Sequence, residues 1–97
     1  MDVEFRSRRL QQRYIASADA IRAWGPTVGS RYVERVKALV AAETIKEIRD
    51  VRAYDLHRLA GDRAGQYAIR LTGQVRLILT VGDEQRVMVE EVVDYHG

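Results

Sequence analysis

Cysteine is absent from the 97 residues, proline occurs once, lysine only at Lys37 and Lys46, and no apolar run exceeds a few residues. Each shortage excludes something. Without cysteine there is no disulfide framework and no thiolate metal site, so a reducing cytoplasm is the expected compartment. Without a long apolar block neither a secretory leader nor a membrane span is expected. The glycines of GDRAG, Gly61 to Gly65, join strands and open no helix, so they read as turn formers rather than a phosphate loop. No GxSxG elbow occurs, which argues against serine-triad chemistry. The two histidines, His57 and His96, form no helical pair. A metal site built from them and Asp94 is therefore not expected, and no cofactor is implied.

What is present fits one compact unit, a single domain over residues 1–97. The net charge of +2 is small, but its distribution is uneven. Arg52, Arg58, Arg63, Arg70 and Arg76 face only Asp55 and Asp62 in their stretch, whereas from Gly82 onward Arg86 stands against Asp83, Glu84, Glu90, Glu91 and Asp94. Arginine's planar fork suits bidentate phosphate contacts, and high-GC coding produces the same arginine excess.

Leu10, Tyr14, Ala18 and Ile21 recur at spacings of four, four and three, which predicts a helix that Gly25 and Pro26 stop. Tyr32, Val33, Val36, Leu39 and Val40 predict a second amphipathic helix, with a short helical continuation from Thr44 to Ile48. Val3 to Arg6 is either an edge strand or an irregular lead-in. From Tyr54 the period becomes two, through Tyr54–Leu59, Tyr67–Thr72, Val75–Val81 and Val87–Tyr95, which predicts an antiparallel meander. Gly73 and Gln74 suggest a two-residue type II′ turn, placing Thr72 opposite Val75 and Arg70 opposite Leu77. The resulting fold class is α+β: two N-terminal helices packed on one face of an antiparallel sheet.

On that plan Arg70 and Arg76 point away from the helices and form a candidate anion site. The closing residues VVDYHG place Asp94, Tyr95 and His96 side by side, and an imidazole accepts or gives a proton near neutral pH. A frayed polar tail is the plain alternative.

The stretch LHRLAGDRAGQYAIRLTGQVRLILTV, followed by VEEVVDYH, resembles the RelE-like toxins of bacterial toxin-antitoxin pairs, most closely the HigB branch. The motifs that carry it are Leu56-His57 with Leu59, then Gly61-Asp62-Arg63 with Gly65, Arg76 after a hairpin, and Asp94-Tyr95-His96. The resemblance implies a curved antiparallel sheet under two helices. It also implies an endoribonuclease that cuts messenger RNA at the ribosomal A site, held inactive by a cognate antitoxin, often a HigA-like helix-turn-helix protein.

Carried over by position, His57, Arg76, Asp94, Tyr95 and His96 are the implied catalytic residues, with Arg58, Arg63 and Arg70 as further RNA contacts. Val75 stands where the branch commonly has an aromatic, and Ala60 where it often has a lysine. These departures keep open a binding-only reading: a gyrase-directed toxin of the same superfamily, or a relic retained to bind its antitoxin.

Overall fold

The computed structural model describes residues 1–95; His96 and Gly97 lie outside the described residues. Strand β1 (Asp2–Phe5) is followed by helices α1 (Arg8–Ile15), α2 (Ser17–Ala41) and α3 (Ile45–Arg49), then strands β2 (His57–Arg58), β3 (Gln66–Arg70), β4 (Val75–Val81) and β5 (Arg86–Asp94). The strands form one sheet in the order β1-β5-β4-β3-β2. Its last four members are antiparallel, as the alternation predicted, but β1 pairs with β5 in parallel, Val3 against Val87 and Phe5 against Val89. The lead-in is thus an edge strand and the sheet is mixed. A parallel pair needs a crossover, and the helices supply it.

The predicted first helix is two helices. Its apolar spacing runs unbroken through Ala16, yet Ala16 adopts an extended conformation and α1 ends there. The break at Gly25 is as expected: its φ of 86° suits glycine, and Pro26 opens the next helical segment, where its missing N–H costs nothing. The chain then doubles back so tightly that a Cβ on Gly29 would lie 2.7 Å from the backbone of Ala20 and Ile21.

Tyr32, Val36 and Leu39 of α2 are buried with Ile69, Leu77, Leu79, Val87 and Val89 of the sheet and with Leu71 just beyond β3. Tyr32 donates from its hydroxyl to the carbonyl of Leu10 at 2.6 Å, which ties α2 to α1. Burial pushes that hydroxyl's pKa far above the usual tyrosine value.

The hairpin corrects the sequence reading. Gly73 does not take a positive φ, and Leu71 to Gln74 all lie outside the strands. The Thr72 hydroxyl accepts from the N–H groups of Gln74 and Val75, at 3.3 and 3.1 Å, and this side-chain turn replaces the two-residue one. The register moves by one residue, so Ile69 lies opposite Leu77 and Arg70 directly opposite Arg76. The predicted first strand shrinks to His57 and Arg58, because Arg52–Tyr54 forms a 3-10 turn instead.

Candidate active site on the open face of the sheet

Cross-strand partners share a face, so the register fixes what the face opposite the helices presents. One row reads His57, Ala68, Ile78 and Glu91 from β2 to β5. Ala68 and Ile78 are fully buried yet stand apart from the helix-side core, and they form an apolar floor. The next row is Arg70, Arg76 and Val93. A bulge between Ile78 and Leu79 adds Glu90, which accepts from the Thr80 hydroxyl at 2.8 Å and pairs with Arg6. A bulge bends its strand, and here it lies beside the apolar floor.

His57 is exposed at the sheet edge, and its Nδ1 lies 2.9 Å from the carbonyl oxygen of Asp55. A carbonyl only accepts, so Nδ1 carries the hydrogen, and in the neutral ring the lone pair is then on Nε2. Arg76 donates from Nη1 to the carbonyls of Thr72 and Val75, at 2.6 and 3.2 Å, which locks its stem against the hairpin. It has no carboxylate in ion-pair range among the described residues. Its remaining guanidinium donors are therefore available to an anion. From strand spacing, two strands across and two residues along, the Cα atoms of His57 and Arg76 are roughly 12 Å apart.

The backbone N–H of Tyr95 donates to the Gln74 carbonyl at 2.8 Å, which ties the end of β5 to the hairpin that carries Arg76. Through Tyr95 the chain is anchored rather than frayed. Parity places Tyr95 on the open face with Val93, and its proximity contributes to the raised pKa of Arg63. Asp94 has the opposite parity and lies across from Val75, whose side chain packs on the helix side. His96 lies outside the described residues.

The three expected RNA-contact arginines separate. Arg58 pairs with Tyr67 on the helix side of the sheet edge and stacks on its ring at 5.6 Å, so it does not share a face with His57. Arg63 reaches both Gln66 of β3 and Glu91 of β5, at 3.1 and 3.0 Å, which carries its guanidinium across β4. The Glu91 carboxylate raises its pKa above the ordinary arginine value. Arg70 pairs with Asp55 at 3.2 Å. Of the arginines in or beside the His57 and Arg70 rows, Arg76 keeps its charge unmatched by a neighbouring carboxylate among the described residues, whereas Arg63 and Arg70 are paired.

Sequence reasoning missed Asp55, Glu91 and Arg35. Arg35 sits on the apolar side of α2 despite its charge, stacked 4.7 Å over the Tyr54 ring and donating from Nε to the Arg70 carbonyl at 3.3 Å. Glu91 is visible in sequence only as a charge; its place in the His57 row depends on register. Asp55 carried one legible sign, an aspartate two residues ahead of a histidine, since aspartate is among the few side chains that tolerate a left-handed backbone.

The family described as RelE-like toxin of type II toxin-antitoxin system HigB matches residues 3–96. No curated protein matches on sequence. Among solved structures the chain is similar to YafQ from E. coli strain BL21(DE3), with TM-score 0.62 and 14% identity over 96% of this chain and 91% of that one. It is similar also to the YoeB/ParE toxin from Agrobacterium tumefaciens, with TM-score 0.58 and 19% identity over 99% and 100% of the two chains. A third is the YoeB-YefM complex from Staphylococcus aureus, with TM-score 0.57 and 19% identity over 100% and 98%. At such identities these likenesses speak to fold.

Proposed function

The chain belongs to the HigB-like family of RelE-like type II toxins, and on that premise we propose that it is an endoribonuclease acting on messenger RNA at the ribosome. The observation that carries this reading is that His57, Arg76 and Tyr95, from β2, β4 and the end of β5, issue from one face around the Ala68 and Ile78 floor. RNA brings its own nucleophile, the 2′-OH, so the protein has three tasks: to take that proton, to hold the phosphate charge, and to return a proton to the leaving 5′ oxygen.

Arg76 donates charge-assisted hydrogen bonds to the phosphate. His57, through the bare Nε2, accepts the 2′ proton as O2′ bonds to phosphorus and the bond to O5′ breaks. Tyr95 stacks on or orients a base. His96 is the proposed donor to O5′; Asp94, on the helix side of β5, is given no contact with the phosphate. The products are a 2′,3′-cyclic phosphate and a 5′ hydroxyl. The implied partner is a cognate antitoxin, proposed to be a small HigA-like helix-turn-helix protein, and the implied compartment is the cytoplasm. Among the described residues no helix is long and apolar enough to cross a membrane.

Inducible expression tests the reading. Growth arrest is expected with cleaved messenger RNA ends visible by primer extension. His57→Gln lowers the cleavage rate about 10²- to 10⁴-fold, the usual weight of a proton-transfer group. Arg76→Ala lowers it about 10²- to 10³-fold, as loss of one charge-stabilising donor does. Arrest with intact messenger RNA sinks the nuclease assignment and favours a binding-only toxin, a reading to which the pairing of Arg63 and Arg70 with carboxylates lends weight.

A further inference from the structure

Asp55 is one of two non-glycine residues with positive φ among the described residues, at φ 47° and ψ 47°, and it lies two positions before His57. In that left-handed conformation its carbonyl receives Nδ1–H of His57 at 2.9 Å, while its carboxylate receives Nη2 of Arg70 at 3.2 Å. Arg70 in turn is held from beneath. Its carbonyl accepts from Arg35 of α2, and the next carbonyl, of Leu71, accepts from Arg31 at 2.8 Å. Arg35 also stacks on Tyr54, the residue just before Asp55.

The helix layer therefore grips both the end of β3 and the turn that presents His57. We infer that Asp55 is a positioning residue that fixes the His57 tautomer, and that Arg70 is the brace holding Asp55 rather than an RNA contact.

This rests on His57 being the proton acceptor proposed above. An imidazole free of such a hydrogen bond prefers the other tautomer, with hydrogen on Nε2, and in that form presents a donor where the reaction needs a lone pair. Nothing in the open-face row replaces the Asp55 carbonyl: the cross-strand neighbour of His57 is Ala68, which has no polar side chain. The sheet ladder cannot set the ring either, since β2 is only two residues long and lies at the edge. The division of labour between the adjacent arginines follows from their partners. Arg70 has a carboxylate and Arg76 has backbone carbonyls only.

Long-range ¹H–¹⁵N correlation spectra of the imidazoles, on the full wild-type chain above the histidine titration range, read the tautomer directly. His57 is expected in the Nδ1–H form, and a predominantly Nε2–H or mixed His57 overturns the inference whatever the activity. Asp55→Asn keeps a residue that tolerates the left-handed backbone but removes the charge pair, as Arg70→Gln does from the other side. Each is expected to move His57 toward the mixed state and to lower kcat for messenger RNA cleavage on programmed ribosomes about tenfold with KM within twofold. Arg70→Lys, which keeps a charge for Asp55, restores most of that loss. A KM increase as large as the kcat decrease identifies Arg70 as an RNA contact and overturns the brace. A wild-type chain with the stated tautomer but no cleavage of messenger RNA on programmed ribosomes refutes the nuclease reading and leaves the positioning of His57 standing.

Discussion

At the scale of single residues, two polar contacts set testable energies. The hydroxyl of Tyr32 is fully buried and its one acceptor is the Leu10 carbonyl. Tyr32→Phe keeps the ring against Trp24, 4.7 Å away, and removes the bond, so urea unfolding should show a loss of about 1 kcal/mol with the slope unchanged. Asp19 accepts from Arg22 at 2.7 Å and from Gln12 at 3.3 Å, and these hydrogen bonds hold its carboxyl below the usual 3.8. Because the folded pKa is the lower one, the contribution of this pair is complete above the unfolded value and fades as pH falls through the folded one. Carboxyl-detected titration should place the Asp19 midpoint below 3.8, and Arg22→Ala should raise it toward that value. Side chains such as these declare themselves poorly in sequence. Arg35 reads as a solvent-facing charge until the ring of Tyr54 and the Arg70 carbonyl are seen to receive it.

At the scale of elements, periodicity was a good guide to type and a poor guide to ends. The alternation in Tyr67–Thr72 and Val75–Val81 named β3 and β4 and put Ile69, Leu77 and Leu79 inward, because each face of a strand meets one environment, although β3 itself ends at Arg70. It failed at Ala16, where the apolar spacing continues although the helix does not. It failed again at Gly73, where the Thr72 hydroxyl supplies the turn that the glycine was expected to make. Gly29 gave no sign of its role. It lets the two halves of α2 touch, and the neighbours that a Cβ would strike are backbone atoms unable to step aside. Gly29→Ala should therefore destabilise the fold by about 1–3 kcal/mol or more, the range for overpacking, where an ordinary helical glycine would gain from alanine. Thermal or urea unfolding distinguishes the two by sign.

At the scale of the whole molecule, the open face is nearly neutral by pairing: Arg6 with Glu90, Arg63 with Glu91 and Arg70 with Asp55. Few phosphates can then be held electrostatically, and RNA binding away from the ribosome should be weak with a shallow salt dependence. Glu91→Gln releases Arg63, so fluorescence anisotropy on a short single-stranded RNA should show tighter binding. The slope of log K against log salt should steepen by about 0.7, one phosphate's worth on a single strand. An unchanged slope would mean that Arg63 stays bound to Gln66 and never reaches the backbone.

The chain by itself determined the class of fold, the inward residues of β4 and the residue types offered as site candidates, because local period and chemical identity are written in one dimension. Which of those residues meet was decided only in three dimensions. The one-residue shift at the hairpin set Arg70 beside Arg76, the Tyr95 amide fixed the end of β5 to the loop before β4, and α2 locked the turn that aims His57. Register and long-range hydrogen bonds depend on the packing of distant segments, and no local window contains them.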